Sequence, residues 1–183
     1  MITIRHAKIS DAATLDSWDT EPHVISATTD DPHATEAYED LDWAEEIAAS
    51  SDLSRYWIAE LDGRPIGVMQ IIDPHSEPTH YWGDVEPNQR ALDIWIGSAA
   101  DLGKGYGDVM MRQGLAVCFA DPAVTAVLID PLASNVRAHK FYQRFGFQAV
   151  GLRTFHDESV CLVYSLSRAS WRASDYVNPD RNA

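Results

Sequence analysis

Leu102-Gly103-Lys104-Gly105-Tyr106-Gly107 is the run on which the reading of this chain turns. It follows an apolar, strand-like segment, Ala91-Leu92-Asp93-Ile94-Trp95-Ile96, and precedes a helix-like segment over about residues 105 to 120. Glycines at alternate positions open backbone conformations closed to other residues and remove side chains that would hold a ligand away. The amides that begin the following helix point outward, unpaired, at the positive end of the helix dipole. Such a turn suits an anion, most often a phosphate or pyrophosphate. It is no Walker loop, because no Gly-Lys-Ser/Thr closes it, and glycines at 103, 105 and 107 miss the dinucleotide-binding spacing. Taken alone, the run is equally compatible with a plain tight turn.

The residues downstream add to it. A strand-like run over residues 124 to 129 ends in Asp130-Pro131. Ser134-Asn135 is a good helix N-cap, and it opens the pattern Asn135-x-x-Ala138-x-x-x-Tyr142-x-x-x-Gly146-Phe147. On a helix, residues seven apart return to nearly the same face, so Asn135, Ala138 and Tyr142 form one stripe. A small residue in that stripe lets a ligand lie against the helix, with a phenol at one end.

Together these features resemble the GNAT superfamily of acetyl-coenzyme A-dependent N-acetyltransferases. Leu102 stands where the usual signature has Gln or Arg. Residues 93 to 107, Asp121-Pro122-Ala123-Val124-Thr125, Asp130-Pro131, Ser134-Asn135-x-Arg137-Ala138 and Tyr142 look like the branch of aminoglycoside 6'-N-acetyltransferases and their siderophore-related cousins. The strong resemblance covers about residues 90 to 165. It implies an α/β (α+β) fold, a mixed, mostly antiparallel central sheet of about seven strands flanked by about four helices. A single domain would span residues 1 to 170, with a tail from 171 to 183.

The resemblance also implies acetyl-coenzyme A as cosubstrate. Gly103, Lys104, Gly105, Tyr106 and Gly107 would take its pyrophosphate. The backbone of Ile94, Trp95 and Ile96 would pair with the pantetheine arm like an added strand, splaying away from residues 124 to 129, and Asn135 and Ala138 would face that arm. Asp93, ten residues before the first glycine, matches the family's proposed base, and Tyr142 would be the acid that meets the departing thiolate. A carboxylate with an ordinary pKa near ~4 matches an alkylammonium poorly, so Asp93 must be raised by burial or act through water. A carboxylate in mid-strand is costly to bury unless paired or used; its bland alternative is a solvated strand face.

Charge bears on the partner. Fourteen Lys and Arg against 28 Asp and Glu leave −14, and residues 11 to 62 hold 15 of those acids with one base, Arg55. Nucleic acid is disfavoured, since phosphate binding needs a basic surface. A polycationic substrate would be drawn in, although acidity also serves solubility. The resemblance, taken with that acidity, implies a small cationic amine acceptor, the 6'-amine of aminoglycosides first. A siderophore precursor, a polyamine or a protein lysine remains an alternative acceptor, and a coenzyme A-binding module without catalysis is the reading from another class. No apolar run approaches the ~20 residues of a membrane span, and no secretory signal pattern opens the chain. Cys118 and Cys161 read as buried free thiols. We therefore expect a cytoplasmic protein, monomeric or homodimeric. The seven histidines show no ligand spacing, so no metal is expected.

The remaining segments complete the layout. Residues 2 to 5 alternate as a strand, residues 11 to 18 read as a helix capped by Ser10, residues 19 to 37 as a long loop, and residues 41 to 49 as a helix. Residues 55 to 61 and 65 to 72 are β-rich runs joined by Asp62-Gly63, a strong hairpin signal, and Gly67 suggests a bulge or close backbone approach. Residues 73 to 89 are polar and carry Tyr81-Trp82 followed by Asp84. Trp82 and Asp84 could hold a sugar or ammonium by stacking and charge, or the aromatics pack back on the core. Asp130 would bind a substrate ammonium or cap the turn before Pro131. The last strands, residues 146 to 154 and 159 to 166, flank a turn whose Asp157 either reaches the acceptor mouth or stays solvated.

Overall fold

Asp62 and Gly63 both take positive φ, 50° and 85°, the left-handed pair that a two-residue hairpin needs to match strand twist. They join β2 (Ser54–Leu61) to β3 (Arg64–Ile72) in the computed structural model, which describes residues 1 to 155 and 159 to 174. Ala59 faces Gly67 and Glu60 faces Pro65, so Ile66 is an extra residue and the strand is bulged there. A Cβ at Gly67 would lie 2.5 Å from the Trp95 carbonyl oxygen and 2.7 Å from Met110 Cε. Both readings of that glycine hold.

Around this hairpin the chain lays down β1 (Ile2–His6), α1 (Ala12–Asp19), α2 (Pro22–Thr28) and α3 (Trp43–Ala48) before it, and β4 (Gln89–Ile96) after it. Then follow α4 (Tyr106–Cys118), β5 (Ala126–Ile129), α5 (Val136–Arg144), β6 (Gln148–Thr154), β7 (Val160–Ser167) and α6 (Arg168–Ala173). The seven strands lie in the order β1-β2-β3-β4-β5-β7-β6, antiparallel except for β4 beside β5. That parallel pair covers only residues 89 to 91 against 126 to 128. Beyond it the strands part, as the resemblance implied.

Period-two alternation sorts the side chains onto two faces. Tyr56, Ile58 and Val68 meet Leu15, Trp18, Trp43 and Ile47 of the first helices. Ala59, Met69 and Leu92 meet Met110, Met111 and Leu115 of α4. Asp42 caps α3, its Oδ1 accepting the amides of Ala44 and Glu45 at 2.8 and 3.0 Å.

Three expectations change. The described residues hold six α-helices rather than about four. The span read as a loop, residues 19 to 37, contains α2, a two-turn helix too short to show periodicity; Pro22 begins it and buried Val24 anchors it. Trp171 is buried and stacks on Phe119 at 6.0 Å, so α6 belongs to the core and the domain continues past residue 170. Among the described residues no helix is long and apolar enough to cross a membrane.

Candidate active site

The glycine turn has the form that its sequence predicts. Ser98 caps a 3-10 turn over Ala99–Asp101, and Gly103 and Gly105 then take φ of 72° and 78°, left-handed values that favour glycine. A Cβ at either position would meet nothing within 4 Å, so these glycines serve backbone geometry and the open space in front of it. Among the described residues the amides of 103 to 108 find no acceptor. They stand at the head of the 13-residue α4, where the first amides of a helix are available to an anion. Tyr106 begins that helix, and a Cβ at Gly107 would lie 3.7 Å from the Phe141 ring of α5.

Lys104 stands on the turn beside a carboxylate. Its Nζ donates to Asp101 Oδ1 at 3.2 Å, and the same buried carboxylate accepts Arg64 Nη1 and Nη2 at 2.7 and 3.0 Å. Lys104 therefore shares its charge with Asp101 at the foot of the turn. Arg64 holds the Asp101 carboxyl below its usual range. The sequence signal for this cluster was an Asp three residues before a Lys, which is common and unspecific.

Where β4 and β5 part, a cavity of about 160 Å³ opens. Asp93, Ile94 and Trp95 of β4, Asp130 after β5, and Asn135, Ala138 and Tyr142 of α5 line it. Ile96 adjoins them, and its carbonyl accepts His23 Nε2 of α2 at 2.9 Å. Asn135 is also the N-cap of α5, its Oδ1 accepting Ala138 N at 3.0 Å. The predicted stripe of Asn135, Ala138 and Tyr142 thus faces the predicted strand across one gap.

A larger cavity, about 540 Å³, adjoins it and shares Asp93 in its lining. Glu46, Gln70, Glu77, Tyr81, Asp93 and Asp130 border it, so its wall is acidic. Asp93, Asp130 and Tyr38 border both cavities. Burial raises the Asp93 carboxyl from 3.8 to about 6, the direction that a base for an ammonium requires. Burial first, and then the charges of Asp93 and Asp130, push the Tyr142 phenol above its usual range, so it stays protonated. Tyr81 donates its hydroxyl to Asp130 Oδ2 at 2.9 Å.

The other acceptor residues fare unevenly. Trp82 is buried rather than exposed and meets Phe155 edge-on at 5.8 Å, while Tyr81 stacks flat on Phe155 at 4.3 Å. The aromatic pair packs onto the core. Trp82 reaches the larger cavity only as part of its wall. Asp84 is exposed and borders neither cavity. Asp157 lies outside the described residues. Glu77, missed in the sequence, is buried with its carboxylate accepting the amides of Thr79 and Tyr81, each at 2.7 Å, and so shapes this loop. Among the described residues no group of three His, Cys, Asp or Glu side chains could hold a metal ion.

Residues 8 to 155 match the family described as acetyltransferase (GNAT) domain. The aminoglycoside N(6')-acetyltransferase type 1 of Klebsiella pneumoniae is 30% identical over 158 residues, which are 85% of this chain and 78% of that protein. The crystal structure of the aminoglycoside acetyltransferase AAC(6')-Ib with coenzyme A and kanamycin superposes with a TM-score of 0.78 at 27% identity, covering 95% of this chain and 99% of that one. AAC(6')-Ib with ribostamycin and coenzyme A gives 0.80 at 28% identity, covering 94% and 97%.

Proposed function

We propose, from the premise that this chain belongs to the acetyltransferase (GNAT) family, that it moves an acetyl group from acetyl-coenzyme A to a primary amine of a small cationic acceptor, the 6'-amine of an aminoglycoside. One observation carries the reading. The Asp93 carboxyl stands where a thioester-sized gap between parting strands meets a larger acidic cavity.

The residues present fit the cosubstrate. Unpartnered amides at 103 to 108 suit a diphosphate, and residues 92 to 96 offer a strand edge to an arm that carries amides. When bound, acetyl-coenzyme A supplies the acetyl thioester and carries away the thiol. The acidic wall draws a polycation into the larger cavity. Asp93 takes one proton from the ammonium, which frees the nitrogen lone pair to attack the acyl carbon. Its pKa of about 6 makes it a stronger base than an ordinary Asp. Tyr142, held protonated across the gap, gives its proton to the sulfur as the carbon–sulfur bond breaks. The acylated nitrogen sheds its second proton to water, Tyr142 is reprotonated from water, and Asp93 releases the proton it took.

A thiol-release assay with acetyl-coenzyme A tests this. Turnover is expected with kanamycin-type acceptors. Turnover with polyamines or lysine peptides alone would move the acceptor class, and coenzyme A binding with no turnover on any amine would overturn the enzymatic reading.

A further inference from the structure

We propose that Tyr38 belongs to the acceptor site: its phenol oxygen takes one N–H of the acceptor ammonium, completing with Asp93 and Asp130 a three-oxygen cradle for R–NH₃⁺. The proposal rests on the acetyltransferase reading and adds to it a residue from the acidic loop, where the sequence offered no motif.

The argument starts from valence. A primary ammonium carries three N–H donors and no acceptor, and leaving one unmade in a desolvated site is costly. Five residues border both cavities: Ala27, Thr28, Tyr38, Asp93 and Asp130. Ala27 has no polar side chain. Thr28 donates its hydroxyl to the carbonyls of Val24 and Ile25 within its own helix, at 3.2 and 3.0 Å. Asp93, Asp130 and Tyr38 bring two carboxylates and a phenol to the place where acceptor and thioester meet. Asp130 also accepts the Tyr81 hydroxyl at 2.9 Å.

Tyr38 is held in place although it lies between helices. Its ring meets Trp43 edge-on at 5.7 Å and Trp95 at 5.6 Å. The preceding amide, Ala37 N, donates to the Asp19 carbonyl at 2.9 Å, and Trp43 Nε1 donates to the Asp19 carboxylate at 2.6 Å. One residue, Asp19, thus anchors both the loop and the indole against which Tyr38 rests. Burial and then the charge of Asp93 raise the phenol well above its usual range. It stays neutral there and keeps its lone pairs for an N–H.

Tyr38→Phe retains the ring and removes only the oxygen. Its kcat/KM is measured with kanamycin and with a derivative methylated at the reacting nitrogen, alongside the KM for acetyl-coenzyme A. A methylated ammonium has two N–H groups and needs one acceptor fewer. The expected result is a loss of about 10- to 100-fold on the primary amine, the worth of one charge-assisted hydrogen bond. On the methylated amine the loss should stay within about threefold, with the KM for acetyl-coenzyme A unchanged. Because both acceptors are read in one preparation, partial unfolding scales both and leaves their ratio intact. Equal losses on the two, or none on either, overturn the proposal. If the unaltered protein acetylates neither acceptor, the enzymatic reading fails separately. The cradle is then read by calorimetry with kanamycin, where Tyr38→Phe must weaken binding about tenfold and an unchanged Kd refutes it.

Discussion

Asp93→Asn should abolish acetyl transfer and, at the same time, make the protein harder to unfold at alkaline pH. The carboxyl titrates at about 6 in the fold against an ordinary 3.8, and burial is the cause. Each tenfold in a protonation equilibrium is worth about 1.36 kcal/mol, so holding Asp93 ionised costs the folded chain about 3 kcal/mol. The sign follows from which state keeps the proton. Between pH 3.8 and 6 the native protein retains it while the unfolded chain has released it, so stability falls as pH rises through that window and then levels off. Asparagine cannot ionise and escapes the penalty. The variant should gain about 3 kcal/mol at pH 8 but only about 1 kcal/mol at pH 4.5, by the same linkage. For a chain of this size that is about 6 to 12 °C in Tm at pH 8. Scanning calorimetry of both proteins across pH 4.5 to 8 makes the comparison. Asp19, whose buried carboxyl is likewise raised to about 6, is present in both and cancels in the difference. A Tm difference that is flat with pH, or that shrinks as pH rises, would refute the placement of Asp93 in a desolvated wall.

Tyr142→Phe should lower kcat about 100-fold, the scale of lost general acid catalysis, with the KM for acetyl-coenzyme A within about twofold; an unchanged kcat removes Tyr142 from the mechanism. Gly105→Ala places a Cβ on a residue with φ of 78°, which costs about 1 to 3 kcal/mol of stability. It should also weaken coenzyme A binding by calorimetry, because the methyl intrudes on the anion's space; full affinity would show that the diphosphate sits elsewhere. Gly67→Ala forces a Cβ to within 2.5 Å of the Trp95 carbonyl, an overpacking worth about 1 to 3 kcal/mol, and urea unfolding that shows under about 0.5 kcal/mol contradicts the close approach.

The legible parts of this chain were those where local chemistry and tertiary need coincide. Asp62-Gly63 turns the hairpin because only residues tolerant of positive φ can do so. The glycine turn, the N-cap at Asn135 and the spacing to Tyr142 were readable for the same reason. The acceptor side was not. Tyr38, Glu46, Glu77 and Gln70 come from segments with no shared period and converge only through packing. Trp82 left two readings open because an aromatic beside acids reads alike whether it stands exposed or lies on Phe155. The partner of Lys104 was not legible, because Asp101 also binds Arg64, 37 residues before it.

Three paired residues between β4 and β5 have a mechanical consequence. They are the main-chain seam between a four-stranded half, β1 to β4, and a three-stranded half, β5 to β7. A ligand that laid its own amides along residues 92 to 96 would lengthen that seam and staple the halves together. Occupancy would then slow hydrogen exchange on both sides of the sheet at once and tie resistance to unfolding to ligand concentration by mass action.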